Sequence, residues 1–127
     1  MAATVNYAST PRNSGVNIST ANTNRDGTGT LGTVFTAGAS GSRIDLVDIV
    51  AQGTTTAGVV RLYVYDGTTN RLLSEHLVGA ITPSTTVEVF NTQITFDNGL
   101  ILPVNYILKA STHNAETFGV IAQSGDY

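Results

Sequence analysis

Gly58-Val-Val-Arg-Leu-Tyr-Val-Tyr-Asp66 is the stretch that decides the fold class. Val60, Leu62 and Val64 share one face of an extended chain, and Val59, Arg61, Tyr63 and Tyr65 share the other. A helical period of 3.6 would scatter both sets around a cylinder, so the alternation predicts a β-strand. Asp66-Gly67-Thr68-Thr69-Asn70 supplies a hairpin turn, and 71–78 returns as the partner strand.

Working outward, the same grammar recurs. Gly32–Ala37 carries Val34 and Phe35. Arg43–Ala51 starts with Ile44 and Leu46 alternating, and then the pattern slips, because Asp48 falls where an apolar residue is due. The slip predicts either a bulge near Val47 or a strand covered on both faces. Pro83-Ser84 resets the chain before an expected strand over 86–91. Ile94-Thr-Phe96 precedes Asp97-Asn98-Gly99, read as a turn. Strands over 104–111 and 117–123 complete the set, giving eight or nine short strands and no helix. β-branched Val, Ile and Thr fill them, as a pleated, half-buried surface prefers. The predicted fold is all-β: an antiparallel β-sandwich, with a jelly roll fitting the strand count best and an immunoglobulin-type sandwich as runner-up.

The first 30 residues differ in composition. They are polar, with Val5, Tyr7, Val16 and Ile18 as scattered anchors, so the expected division is a polar N-terminal arm over 1–30 and a sandwich over 31–127. Two readings of the arm compete: a frayed terminus, or an extended segment ordered against a partner subunit with Val16-Asn-Ile-Ser19 as a short strand. The residues 1–10 have neither a basic n-region nor an apolar core, so no signal peptide is expected there.

Composition narrows the function classes. The chain has 127 residues, a net charge of −3 and only 12% charged residues, about half the usual share. Twenty Thr, nine Ser, thirteen Gly and ten Asn replace the missing charge. Six basic against nine acidic residues argue against nucleic acid, and no apolar run is long enough for a membrane helix, so neither is expected as a partner. With no cysteine there are no disulfides and no thiolate metal sites.

The motifs that carry chemistry elsewhere fail here on context. Gly27-Thr-Gly29-Thr-Leu-Gly32 matches a dinucleotide fingerprint but lacks the strand before and the helix after it, so it reads as a turn. Asn22-Thr-Asn24-Arg-Asp26-Gly27 resembles half a calcium loop, yet Arg25 sits inside it and Thr33 stands where the bidentate Glu belongs. It reads as a solvated Asx-rich turn. His76 and His113 lack ligand spacing. No catalytic, metal or cofactor-binding residues are assigned, and no enzyme activity is expected. Tyr63 and Tyr65, flanked by Arg61, form an aromatic stripe with three possible uses: a buried second face, a protein interface, or a platform for sugar rings. With Val16 and Ile18 of the arm, Arg61, Tyr63 and Tyr65 make up the candidate interface.

The run Gly58–Gly67, the following Leu73-Ser-Glu75 and Thr82-Pro-Ser-Thr85, then Leu108-Lys-Ala-Ser111 and the terminal Gly125-Asp-Tyr127, resemble small virion proteins of tailed bacteriophages over about residues 45–127. The resemblance implies a non-enzymatic structural protein. It would be a capsid decoration (cement) protein clustered as a homotrimer on the shell, with the major capsid protein and copies of itself as partners. It further implies residence in the virion after synthesis in the host bacterial cytoplasm. The alternative is a tail or head-fibre module binding host carbohydrate.

Overall fold

In a computed structural model the chain is described over residues 7–127 and forms two four-stranded sheets packed face to face. Val5, one of the expected arm anchors, lies outside the described residues. The strands are β1 (Thr10–Ile18), β2 (Gly32–Thr36), β3 (Ser42–Ala51), β4 (Gly58–Tyr65), β5 (Asn70–Val78), β6 (Asn91–Leu102), β7 (Ile107–Thr112) and β8 (Phe118–Asp126). One sheet has the order β1-β8-β3-β6 and the other β2-β7-β4-β5. An all-β antiparallel sandwich is thus what the chain forms, as its alternation predicts. β1 pairs with β8, β2 with β7, β3 with β6 and β4 with β5, all antiparallel, so the chain is wound as one long ribbon of strand pairs folded over itself. That winding differs from the immunoglobulin order.

The core lies between the sheets. Val60 and Leu62 of β4 face Ile44, Val47 and Ile49 of β3, with Phe35, Leu108, Phe118 and Val120 filling the layer; all are at most 1% exposed. Each such side chain contributes about 1.5–3 kcal/mol by leaving water. Phe90 meets Phe118 edge-on at 6.2 Å and closes one end.

Four local expectations shift. The slip in β3 is a bulge at Asp45, between Ile44 and Leu46, two residues before the expected place. Asp45 and Leu46 both point away from the core, so Ile44 shares its face with Val47 and Ile49 instead of Leu46. Residues 86–90 do not form a strand, and Asn91 instead opens β6. Ser84 and Val87 bond back to each other, and Val89 and Phe90 turn in to cap the core. Asp97-Asn98-Gly99 is not a chain reversal but an irregularity inside one long β6, where the pairing jumps from Thr95 to Leu100. Asn98 and Gly99 take positive φ of 63° and 80°, which absorbs the extra residues without ending the strand. The strand expected from residue 104 starts at Ile107, because 103–106 form a turn closed by Tyr106 N–H donating to the Pro103 carbonyl at 3.0 Å.

The short strand expected over 16–19 is also longer. Thr10–Ile18 pairs along its whole length with β8 of the same chain. Arg12 then spans the gap to the second sheet: its guanidinium lies 4.3 Å from the centre of the Phe35 ring and donates to the Thr36 carbonyl at 3.0 Å. β1 and β2 therefore close one side of the sandwich.

Candidate interface

The two outer faces of the sandwich are treated differently by the chain itself, and three of the five sequence-predicted residues, Arg61, Tyr63 and Tyr65, fall on the covered one. Arg61 and Tyr63 point outward from β4, yet they are 1% and 0% exposed. Residues 20–30 lie over them. Tyr63 Oη donates to the Asn24 carbonyl at 2.9 Å, and Arg61 Nη1 donates to the Asn22 carbonyl at 3.2 Å. Arg61 Nε also donates to Glu75 Oε2 at 2.7 Å, and Arg25 Nε, from the covering segment, reaches the same oxygen at 2.8 Å. The Arg25 hydrogen bond, followed by that of Arg61, holds the Glu75 carboxyl below its ordinary range. A buried guanidinium is tolerable only with such partners.

The covering segment is built around Asn22. Its amide donates to the carbonyls of Thr28 at 2.9 Å and Thr30 at 3.0 Å, and its Oδ1 accepts from Asn24 N–H at 3.0 Å. The half-calcium pattern is thus an Asx turn, but Asn22 is only 5% exposed, so the turn is pinned rather than solvated. Gly29, at φ 82°, packs against the Asn22 amide, where a Cβ would come within 2.7 Å of Nδ2. The fingerprint-like glycines therefore serve a turn, as their context predicts.

Of the five candidate residues, three are buried within the chain: Ile18 at 6%, Arg61 and Tyr63. Of the three uses open to the stripe, Tyr63 and Arg61 take the first, a second buried face, covered by residues 20–30. Tyr63 offers no ring face for stacking, and Tyr65 is half-buried with the Lys109 ammonium 4.2 Å from its ring centre. Val16 is half-buried and packs against the core beside Gly32. Arg61, Tyr63 and Tyr65 are brought together on one sheet, while Val16 and Ile18 sit on the other.

Among the described residues, Ala8 lies over Gly125 at one end of the outer face of β1-β8-β3-β6, and the rest of that face is uncovered. Three rows of residues cross it in register: Asn17, Gly119, Val50 and Asn91; Gly15, Ile121, Asp48 and Gln93; Asn13, Gln123, Leu46 and Thr95. Asp48 is the one charge in these rows, and Gln93 Nε2 donates to its Oδ1 at 2.9 Å. Val50 and Ile121 are each 37% exposed, although both sit mid-sheet. With no side chains at Gly15 and Gly119, the face dips there into a shallow depression of about 500 Å³ lined also by Val50, Ile121 and Gln52. A second, of about 540 Å³, lies on the other flank of Val50, between Asp48, Glu88, Val89 and Gln93. Among the described residues, no three His, Cys, Asp or Glu side chains gather to hold a metal ion.

Sequence reasoning missed Val50 and Ile121. The signal was present: both are apolar residues at outward register positions, and the slip in β3 had raised a strand covered on both faces.

No protein-family profile and no curated protein sequence matches the chain. Among solved structures it is similar to a pentameric capsid protein isolated from metagenomic phage sequences. One crystal structure matches with a TM-score of 0.45 and 18% identity over 90% of this chain and 63% of that one. Another matches with a TM-score of 0.45 and 17% identity over 90% and 62%. The chain thus spans less than two thirds of the length of those capsid chains, and the likeness carries no statement about assembly or activity.

Proposed function

We propose that this chain is a non-enzymatic structural protein of a tailed-phage virion, a jelly roll that decorates the capsid by laying one sheet face on the shell. The observation that carries the reading is the asymmetry of the two faces. The chain covers Arg61 and Tyr63 on the outer face of β2-β7-β4-β5 with its own residues 20–30, while among the described residues the three central rows of β1-β8-β3-β6 stay uncovered, with Asp48 as their one charge. Depletion of charge at the centre, with aliphatics ringed by amides, is how a protein interface core is composed. Four strands about 4.8 Å apart and about 30 Å long give a face on the order of 600 Å², close to the ~800 Å² per partner of a standard interface. The resemblance of residues 45–127 to small phage virion proteins points the same way, toward the major capsid protein and further copies of the chain as partners.

The test is co-sedimentation of the purified chain with expanded capsid shells of the phage that encodes it. Wild type is expected to pellet with the shells, and Val50→Glu with Ile121→Lys to remain in the supernatant with an unchanged melting temperature. Wild type that never pellets, or a double variant that binds as well, overturns the reading. The resemblance implies a trimer of copies; native mass measurement distinguishes it from a pentamer or a monomer.

A further inference from the structure

The geometry points to an acid-released flap: residues 22–30 stay closed over β4 while the Glu75 carboxylate is ionised, and lift when it takes up a proton. The inference concerns the covered face and holds whether or not the opposite face meets a shell.

Glu75 is where two cations from different elements meet. Arg61 Nε, from β4, and Arg25 Nε, from the cover, donate to the same oxygen at 2.7 and 2.8 Å. The two differ in burial. The Arg25 side chain is 66% exposed, so its pair with Glu75 contributes little by itself. Arg61 is 1% exposed, and among the described residues Glu75 is the one carboxylate within ion-pair distance of it. Its other nitrogens rest on neutral partners, Nη1 on the Asn22 carbonyl and Nη2 on His113 Nδ1 at 3.3 Å. A guanidinium only donates, so the second contact needs that ring nitrogen unprotonated.

A proton on Glu75 therefore leaves a buried cation without its counter-charge, beside a second cation. Water would compensate it, and the cover is what keeps water out. The cover is also the part that moves most readily. Its other hydrogen-bond ties to the sheet are the Asn24 carbonyl to Tyr63, the Gly27 carbonyl to Asn70 Nδ2 at 3.1 Å, and Asn22 N–H to the Thr112 carbonyl at 2.8 Å. A segment held by single bonds opens at lower free energy than a core strand.

The titratable groups gathered around Glu75 are Arg25 of the cover, Arg61 and Tyr63 of β4, and His113 after β7. A proton on His113 adds a second charge facing Arg61, and one on Asp26 weakens its bonds to the Thr28 N–H and hydroxyl, so both act in the same sense. The Arg25 bond, then the Arg61 bond, holds Glu75 below its ordinary 4.5. Closure is thus supported above that pH and loses support as pH falls through the closed-state value.

The test is hydrogen–deuterium exchange read by mass spectrometry from about pH 7 to about pH 3.5, each rate divided by the intrinsic chemical rate at that pH. In wild type, protection of 22–30 is expected to fall at least ~5-fold below about pH 4.5, while β3 and the middle of β8 keep theirs. Glu75→Gln is expected to show the low protection already at about pH 7 and to lose most of the step. Asp26→Asn and His113→Gln keep an acceptor and are expected to retain the step, which assigns it to Glu75. The wild-type titration and these two controls test the flap without relying on the folding of the Glu75 variant. Protection of 22–30 that persists to the lowest pH, or falls only together with β3 and β8, overturns the flap. So does a Glu75→Gln protein as protected as wild type at about pH 7, or an Asp26→Asn protein without the step.

Discussion

Replacing Asn22 by Ala tests whether residues 20–30 are a fixed cover on the β4 face or a loop that merely rests there. The side chain makes three hydrogen bonds, to the Thr28 and Thr30 carbonyls and from Asn24 N–H, at 2.9–3.0 Å. At about 1 kcal/mol each, their sum is about 3 kcal/mol. Thr28 and Thr30 are exposed residues, so their freed carbonyls turn to water and recover part of that. The expected loss is about 2 kcal/mol, which for a domain of this size lowers Tm by about 6–10 °C. Thermal unfolding by circular dichroism reads the loss. Amide exchange at 22–30 is expected to quicken, since the cover opens before the sandwich does. Asn13→Ala, on the open face, is the control and is expected to stay within about 0.5 kcal/mol of wild type. An Asn22→Ala protein that melts within about 1 °C of wild type would refute the reasoning, because the cover would then not depend on its central amide.

The remaining predictions concern pH, a bulge and the core. Glu75 and Asp126 are both held below their ordinary values, Glu75 by Arg25 and then Arg61, Asp126 by the Ser42 hydroxyl and then Arg12. A depressed carboxyl contributes stability above its unfolded value and loses it as pH falls through the folded one, so Tm is expected to drop steeply below about pH 4.5. Burial pushes His76 below its ordinary 6.5, so protonation favours the unfolded chain and a shallower decline begins near pH 6.5; His76→Asn is expected to abolish only that shallow phase. Gly99→Ala, forced to φ 80° beneath the Arg43 side chain, is expected to cost about 1–2 kcal/mol in urea unfolding. Phe118→Ala, 1% exposed against Phe90, is expected to cost about 3–5 kcal/mol by the same assay.

The fold was legible where alternation and turn chemistry agreed. Gly58–Tyr65 keeps period two along its length and its hairpin forms where the turn residues put it; the one irregularity falls in the returning strand, where the pairing skips Leu73. Asp97-Asn98-Gly99 misleads for a physical reason: positive φ serves a reversal and a bulge equally well, and only the partner strand β3 decides between them. Residues 86–91 mislead because Val89 and Phe90 cap the core end-on, where period two has no meaning. The candidate site was legible only in part. Local pattern put Tyr63 and Arg61 on the outer side of β4, correctly, but the cover that buries them comes from 20–30, some 40 residues away in sequence. Val50 and Ile121 become neighbours only through the β3–β8 pairing, which no local window contains.

The measurement that bears most directly on the central claim is a cryo-EM reconstruction of capsid shells saturated with the chain. The expected map places Val50, Ile121 and Gln93 against the shell and the 20–30 segment toward solvent. Density with the opposite orientation, the covering segment against the shell and the Val50 face in water, would contradict it.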